Sequence, residues 1–130
     1  AASIGVLDAA KAADAFAIGV DLDQAEQLEA NDPEISAHIM TSAMKKLDTL
    51  LYNLVGNYLD GSIVWGQHQL VGLADGTMAL ADNKYFRAVV PQEVIDEIAQ
   101  IEADIISGTI QIPTAIGMSA EELQAEKDKA

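Results

Sequence analysis

No cysteine occurs in the 130 residues, which excludes disulfides, thiolate zinc sites and cysteine nucleophiles. Basic residues are scarce: 7 Lys and Arg stand against 21 Asp and Glu, a formal net charge of −14. Such a surface repels phosphate backbones, so it argues against nucleic acid as a partner and against adsorption to an anionic bilayer. Aromatic residues make up 5% of the chain. No apolar run approaches the ~18 residues of a membrane helix. Residues 1–13 lack the basic start and cleavage site of a signal peptide, so an exported protein would have had its address label removed. What is present suits one globular domain: half of the chain is apolar, 22% is charged, and the length allows a sizeable core.

The spacing of Ile4, Val6, Leu7 and several alanines predicts a helix over residues 3–13. The run "AFAIGV" at 15–20 fits a strand buried on both faces, as in a parallel sheet. Asn31-Asp-Pro-Glu is turn chemistry. A short run at 37–40 then leads into Thr41-Ser42, either of which suits a helix N-cap. Leu47, Leu50, Leu51, Leu54, Val55 and Tyr58 form one apolar helical stripe, which Asp60-Gly61 ends. From residue 62 the period changes, and two runs flank Asp75-Gly76, a dipeptide suited to a hairpin turn. Pro91 and Glu93 open a helix striped by Val94, Ile95, Ile98, Ile101 and Ile105, and Gly108 closes it. "TIQIP" reads as a last short strand, and Ser119 with Glu122 forms a capping box before a polar tail helix. This order points to α/β architecture: a parallel sheet flanked by helices.

Asp21 and Asp23 lie just past the first predicted strand. In open α/β sheets, ligands bind outside the carboxyl ends of strands, and a carboxylate accepts two hydrogen bonds from a vicinal diol. Two readings stand, a solvated turn and a ligand-facing tip. Lys45 falls about one turn into the helix that Thr41 or Ser42 would cap, where it opposes the helix dipole. It is either a solvated lysine or a partner of Asp21 on the neighbouring unit, sharing a polar ligand. Lys46 points about 100° away and reads as solvated. His38 and His68 are isolated, without metal-ligand spacing. No Gly-rich phosphate loop, nucleophile elbow or receiver-type phosphoacceptor is present, and Trp65 reads as core. The chain carries no enzyme machinery and implies no cofactor.

Taken in order, "AFAIGVDLDQ", "HIMTSAMKKLDTLLYNLV", "GLADGTMALA" and "VPQEVIDEIAQIEADIISGTIQIP" resemble the C-terminal part of the basic membrane protein family. These are substrate-binding lipoproteins of bacterial ABC importers, similar to purine nucleoside receptors. The resemblance spans residues 15–113 and implies part of a two-lobe, periplasmic-binding-protein-like (type I) fold, incomplete without an N-terminal part. It places residues 1–40 and about 82–130 mainly in one lobe and 41–62 mainly in the other. A hinge-crossing hairpin would occupy 63–81. It implies a nucleoside or similar small polar solute held between the lobes, an ABC permease partner, and an extracytoplasmic location, membrane-anchored or periplasmic. The lipidated cysteine and the base-stacking aromatics would belong to the N-terminal part. By the same resemblance Asp21 accepts from ribose hydroxyls and Lys45 donates to the sugar, while Asp23 and Gln24 support the loop. Leu22 departs from the usual small polar residue, and Asp75-Gly-Thr replaces a more glycine-rich stretch. A sensor or structural domain that keeps the fold without binding a ligand is the alternative.

Overall fold

The computed structural model describes residues 2–128. Helix α1 (Ala2–Ala12) ends where Asp14 takes a left-handed conformation at φ 49°. The Ala15 amide reaches back to the Ala10 carbonyl at 2.9 Å, closing the helix and turning the chain into β1 (Ala17–Asp21). Two short helices follow, α2 (Gln24–Glu29) and α3 (Pro33–Ala37), each with an aspartate at its N-cap. They return the chain to β2 (Ile39–Lys45), which pairs parallel with β1. A slip between Ala17 and Ile18 resets the register, after which Gly19 lies beside Ser42 and Asp21 beside Met44. Strand β3 (Met78–Leu80) adds antiparallel to the other edge of β2, giving the order β1-β2-β3. The chain is thus α/β, a small mixed sheet flanked by helices, consistent with part of a periplasmic-binding-protein-like domain.

The core is compact and one-sided. Leu7, Ala25, Ile35 and Ile39 pack together, with Ala17, Leu28 and Tyr85 against them. This cluster joins α1, α2 and α3 to one face of the sheet. The opposite face of β1 is open, with Ile18 59% and Val20 49% exposed. The expectation of a strand buried on both faces is therefore corrected. Among the described residues nothing covers that face, and β1 has a hydrogen-bonded neighbour on one edge only.

Helix α4 (Leu47–Leu59) forms where the apolar spacing places it, yet Leu47, Leu51, Val55 and Tyr58 of its stripe are exposed. Asn53 ties the helix to the loop before β3, its side-chain amide donating to the Asp75 carbonyl at 3.2 Å. The hairpin expected around Asp75-Gly76 does not form. Leu73–Asp75 is a single 3-10 turn closed by Gly76 at φ 66°, and the strand after it pairs with β2 rather than with a strand before it. The Asp75 carboxylate accepts the Gly72 amide at 2.9 Å, and the Thr77 hydroxyl donates to the Gly72 carbonyl at 3.1 Å. These bonds satisfy the loop locally and remove the need for a ladder.

Helices α5 (Lys84–Val89), α6 (Gln92–Ser107) and α7 (Ala120–Lys127) complete the chain. Pro91 caps α6, and Gly108 ends it in the left-handed region. The Ser119–Glu122 capping box opens α7. "TIQIP" is not a strand: the Ile110 amide folds back onto the Asp104 carbonyl at 3.0 Å, tying the segment to the end of α6 instead. Trp65 is 72% exposed, so it is not core, and it meets Tyr58 edge-to-face at 6.2 Å. Between α6 and the sheet lies an apolar cleft of 640 Å³, bounded by Ala43, Met78, Ile98, Ile101 and Ile105. The chain exposes 9379 Å², against roughly 6,600 Å² for a closed globule of its 13.8 kDa. Exposed large apolar residues on β1 and α4, such as Ile18, Val20, Leu51 and Val55, contribute to the surplus.

Two tests follow from this packing. A Cβ at Gly19 would run into the Ser42 hydroxyl and lie 2.7 Å from the Gln24 side-chain oxygen. Gly19→Ala is expected to cost about 1–3 kcal/mol in a denaturant titration, as overpacked positions do. The second test concerns Lys11, whose ammonium lies 2.7 Å from Glu34 and 3.6 Å from Asp32, tying α1 to α3. The Ile35 amide donates to Asp32 at 2.9 Å, and this bond, aided by the Lys11 charge, holds the carboxyl below the usual aspartate range. A carboxyl depressed on folding contributes stability above its unfolded pKa and loses it as pH falls through the folded value. Melting temperature is therefore expected to fall on acidification below about pH 4. Asn caps helices as well as Asp does, so Asp32→Asn should flatten that fall.

Candidate ligand-binding site

Chain direction makes the site. β1 and β2 run parallel and adjacent, so their carboxyl ends open at the same edge of the sheet. Asp21 is the last residue of β1 and Lys45 the last of β2. The Lys45 ammonium meets an Asp21 carboxylate oxygen at 3.0 Å. Both side chains remain well exposed, 58% and 63%. A pair so solvated adds about 0–1 kcal/mol to stability, so holding the fold together does not account for it.

Lys45 reaches this place by a different route from the one its sequence context suggests. Thr41 and Ser42 do not cap a helix; both are buried inside β2. The Thr41 hydroxyl donates to the Ala81 carbonyl at 2.8 Å, and the Ser42 hydroxyl accepts the Gln24 amide at 3.2 Å. With their oxygens used across the fold, the strand continues to Lys45, and α4 starts after Lys46 without a side-chain cap. Lys45 is thus a strand-end residue, not one within a helix. Lys46, expected to point away into solvent, is exposed yet lines the same cleft.

Asp21 has φ +74°, a left-handed conformation that Asp tolerates better than most non-glycine residues. The backbone therefore turns sharply there, and the Leu22 amide closes a tight turn onto the Val20 carbonyl at 3.0 Å. Asp23 turns inward as the N-cap of α2, accepting the Glu26 amide at 3.3 Å. The Gln24 side-chain oxygen accepts the Val20 amide at 3.0 Å, tying the last turn of β1 to the start of α2. The resulting open cleft of 790 Å³ is bounded by Asp21, Leu22, Met44, Lys45, Lys46 and Leu47. A carboxylate and an ammonium, set beside apolar Leu22 and Leu47, can hold a hydroxyl-rich group with an apolar flank.

Several supporting residues escaped sequence reasoning. Gly19 permits the close approach of α2, and Ser42 receives its first amide. Asn83 donates to both oxygens of Asp23 at 2.8 Å from 60 positions away. An Asn ahead of a helix is a legible capping signal, but its reach to Asp23 is a product of the tertiary fold. The histidines stand apart from the site: His38 Nδ1 lies 3.2 Å from the Ala15 carbonyl, and His68 is exposed. Among the described residues no cluster could hold a metal ion, and no helix is long and apolar enough to cross a membrane.

Residues 1–115 match the Bmp family model, described as ABC transporter substrate-binding protein PnrA-like. The chain belongs to this family. Basic membrane protein D of Borreliella burgdorferi (strain JD1) is 32% identical over 113 residues, covering 85% of this chain and 31% of that protein. A crystal structure from Bacillus halodurans, described as a transcriptional activator of the comK gene, superposes with a TM-score of 0.66 at 27% identity. It covers 84% of this chain and 34% of its own. The chain thus spans about a third of the length of these relatives.

The left-handed turn at Asp21 can be separated from its charge. Asp21→Gly and Asp21→Asn both suit φ +74° and are expected to melt within a few degrees of the parent. Asp21→Val should destabilise by about 1–3 kcal/mol, because a β-branched residue is strained there. Equal melting temperatures for Asp21→Val and Asp21→Gly would show that the turn relaxes freely.

Proposed function

We propose that this chain forms part of the ligand cleft of a solute receptor serving an ABC importer, and that the solute is a nucleoside. Asp21 accepts hydrogen bonds from the two ribose hydroxyls, and Lys45 donates to the same sugar. The observation that carries this reading is the 3.0 Å approach of two solvent-open, opposite charges at the carboxyl ends of neighbouring parallel strands. Family membership supports the solute-binding role.

The physics suits reversible capture. In the open state each charge partly neutralises the other, so neither pays the full cost of facing the cleft alone. A diol inserted beside the pair gives the carboxylate two neutral donors while Lys45 still balances its charge. Closure of a second lobe then removes water, and every one of these bonds strengthens in the lower dielectric. Removing one partner strands the other at a cost of roughly 2–5 kcal/mol. No proton or bond needs to move, so the site binds and releases without catalysis.

The remainder of the reading concerns the whole receptor. Its other part packs on the uncovered faces of β1 and α4, completing two lobes joined by a hinge. Residues 1–40 and about 82–130 belong mainly to one lobe, with 41–45 joined to it through β2, and 46–62 belong mainly to the other. Support comes from the share of the relatives that this chain spans and from the apolar surface it leaves open. The receptor works outside the cytoplasm, anchored to the membrane or free in the periplasm, and delivers its solute to a permease. A second reading, a sensor or structural domain that binds nothing, draws on the Bacillus halodurans relative described as a transcriptional activator.

Calorimetry on the complete receptor with adenosine, guanosine, inosine and uridine separates the two. Binding by at least one ribonucleoside is expected, with a ligand-dependent rise in melting temperature. Asp21→Ala should weaken it by at least about tenfold, and the matching 2′-deoxynucleoside should lose a similar factor. Unchanged affinity in Asp21→Ala would remove the sugar-clamp role, and no binding or thermal shift with any of the four would favour the second reading.

A further inference from the structure

We infer that Asn83 is a positioning residue for the Asp21–Lys45 pair, holding the loop that carries Asp21 at its distance from β2. This inference builds on the ligand-cleft reading above but is set by the fold itself. Asn83 is 5% exposed and follows the segment that leaves β3. That segment is stitched to β2: the Ala81 amide donates to the Ser42 carbonyl at 2.9 Å, and the Thr41 hydroxyl donates to the Ala81 carbonyl. Asn83 therefore belongs mechanically to the strand that ends in Lys45.

Its side chain faces two ways. The oxygen accepts the Tyr85 and Phe86 amides at 2.9 and 3.0 Å, capping α5. The nitrogen donates to both oxygens of Asp23 at 2.8 Å. The orientation of the amide is fixed by this chemistry, since the reverse would set oxygen against carboxylate and NH₂ against two N–H donors. Asp23 in turn caps α2 and stands two residues beyond Asp21. The loop from Asp21 to Asp23 is thus held at one end by the β1–β2 ladder, and at the other by Asn83 together with the Gln24 bonds to Val20 and Ser42. Releasing the Asn83 grip leaves only the sheet-side bonds on this loop, so Asp21 gains freedom while Lys45 stays on its strand.

A cap needs only an acceptor, whereas the grip on Asp23 needs a donor of this length. Asn83→Ser keeps a good cap but is too short to reach Asp23, and Asn83→Asp keeps a cap while turning a carboxylate toward a carboxylate. The reciprocal exchange, Asp23→Asn with Asn83→Asp, restores a donor facing an acceptor and leaves both caps in place.

The test is amide hydrogen exchange on the 130-residue protein, paired with calorimetry of the complete receptor using the four ribonucleosides. In Asn83→Ser and Asn83→Asp, the Leu22 and Gln24 amides should exchange about tenfold or more faster, while Tyr85 and Phe86 stay protected. The double exchange should return them toward the parent rate. Ribonucleoside affinity should fall about tenfold in Asn83→Ser and recover in the double exchange. Parent-like exchange at Leu22 and Gln24 in Asn83→Ser, or no recovery in the double exchange, would overturn the assignment. So would faster exchange confined to α5, which would leave Asn83 as a cap only. If Asn83→Asp does not fold, Asn83→Ser and the double exchange carry the comparison. If the parent receptor binds none of the four, the nucleoside reading falls, and the exchange rates still decide the role of Asn83.

Discussion

The contact between α2 and the β1–β2 pair governs the rest of this structure. Gly19 has no side chain, so the first turn of α2 settles directly onto the sheet, and Gln24 and Ser42 fill the space a Cβ would take. Two hydrogen bonds result from that approach, one from the Gln24 amide to Ser42 and one from the Val20 amide to Gln24. They fix where β1 stops and how sharply the chain leaves it. Asp21 and Lys45 then meet because the two strands are parallel neighbours whose ends lie one residue apart in register, while their own ion pair contributes little to that placement. The site is a consequence of backbone packing, which is why its charged groups can remain solvated.

Much of this architecture is visible in the residues. The α4 and α6 stripes, the Gly108 stop, the Ser119–Glu122 box and the apolar run of β1 each follow from local spacing and capping chemistry, and each element forms. The misreadings have two causes. Thr41 and Ser42 have ideal capping side chains, yet their hydroxyls go to Ala81 and Gln24, partners supplied by the tertiary fold. Asp75-Gly76 has hairpin chemistry, but the residues after it pair with β2 and those before it form no strand. "TIQIP" has strand propensity, but the Ile110 amide bonds back to the Asp104 carbonyl at the end of α6. For Thr41 and Ser42 a long-range partner overrides a real local preference, while at Asp75-Gly76 and in "TIQIP" nearby backbone bonds to Gly72 and Asp104 do so. At the site, the meeting of Asp21 with Lys45 follows from strand order once the parallel pair is granted. The bracing by Asn83 does not, because nothing at position 83 points to position 23.

Charge and apolarity divide the molecule between them. Its strongly acidic composition sits beside broad apolar faces on β1, α4 and α6. Acids keep like copies apart, while the apolar faces favour a partner of matching shape. The small buried cluster beneath α1, α2 and α3 is the part that closes on itself, and the candidate site lies where that closed part gives way to open surface.

The strand order has a further effect on how the sheet can grow. β3 presents three residues at one margin, while β1 presents five at the other, with Ile18 and Val20 among them and neither lysine nor proline to discourage pairing. The longer free margin is therefore that of β1, next to the mouth of the cleft. Whatever fills that berth becomes a wall of the chamber as well as a piece of scaffold.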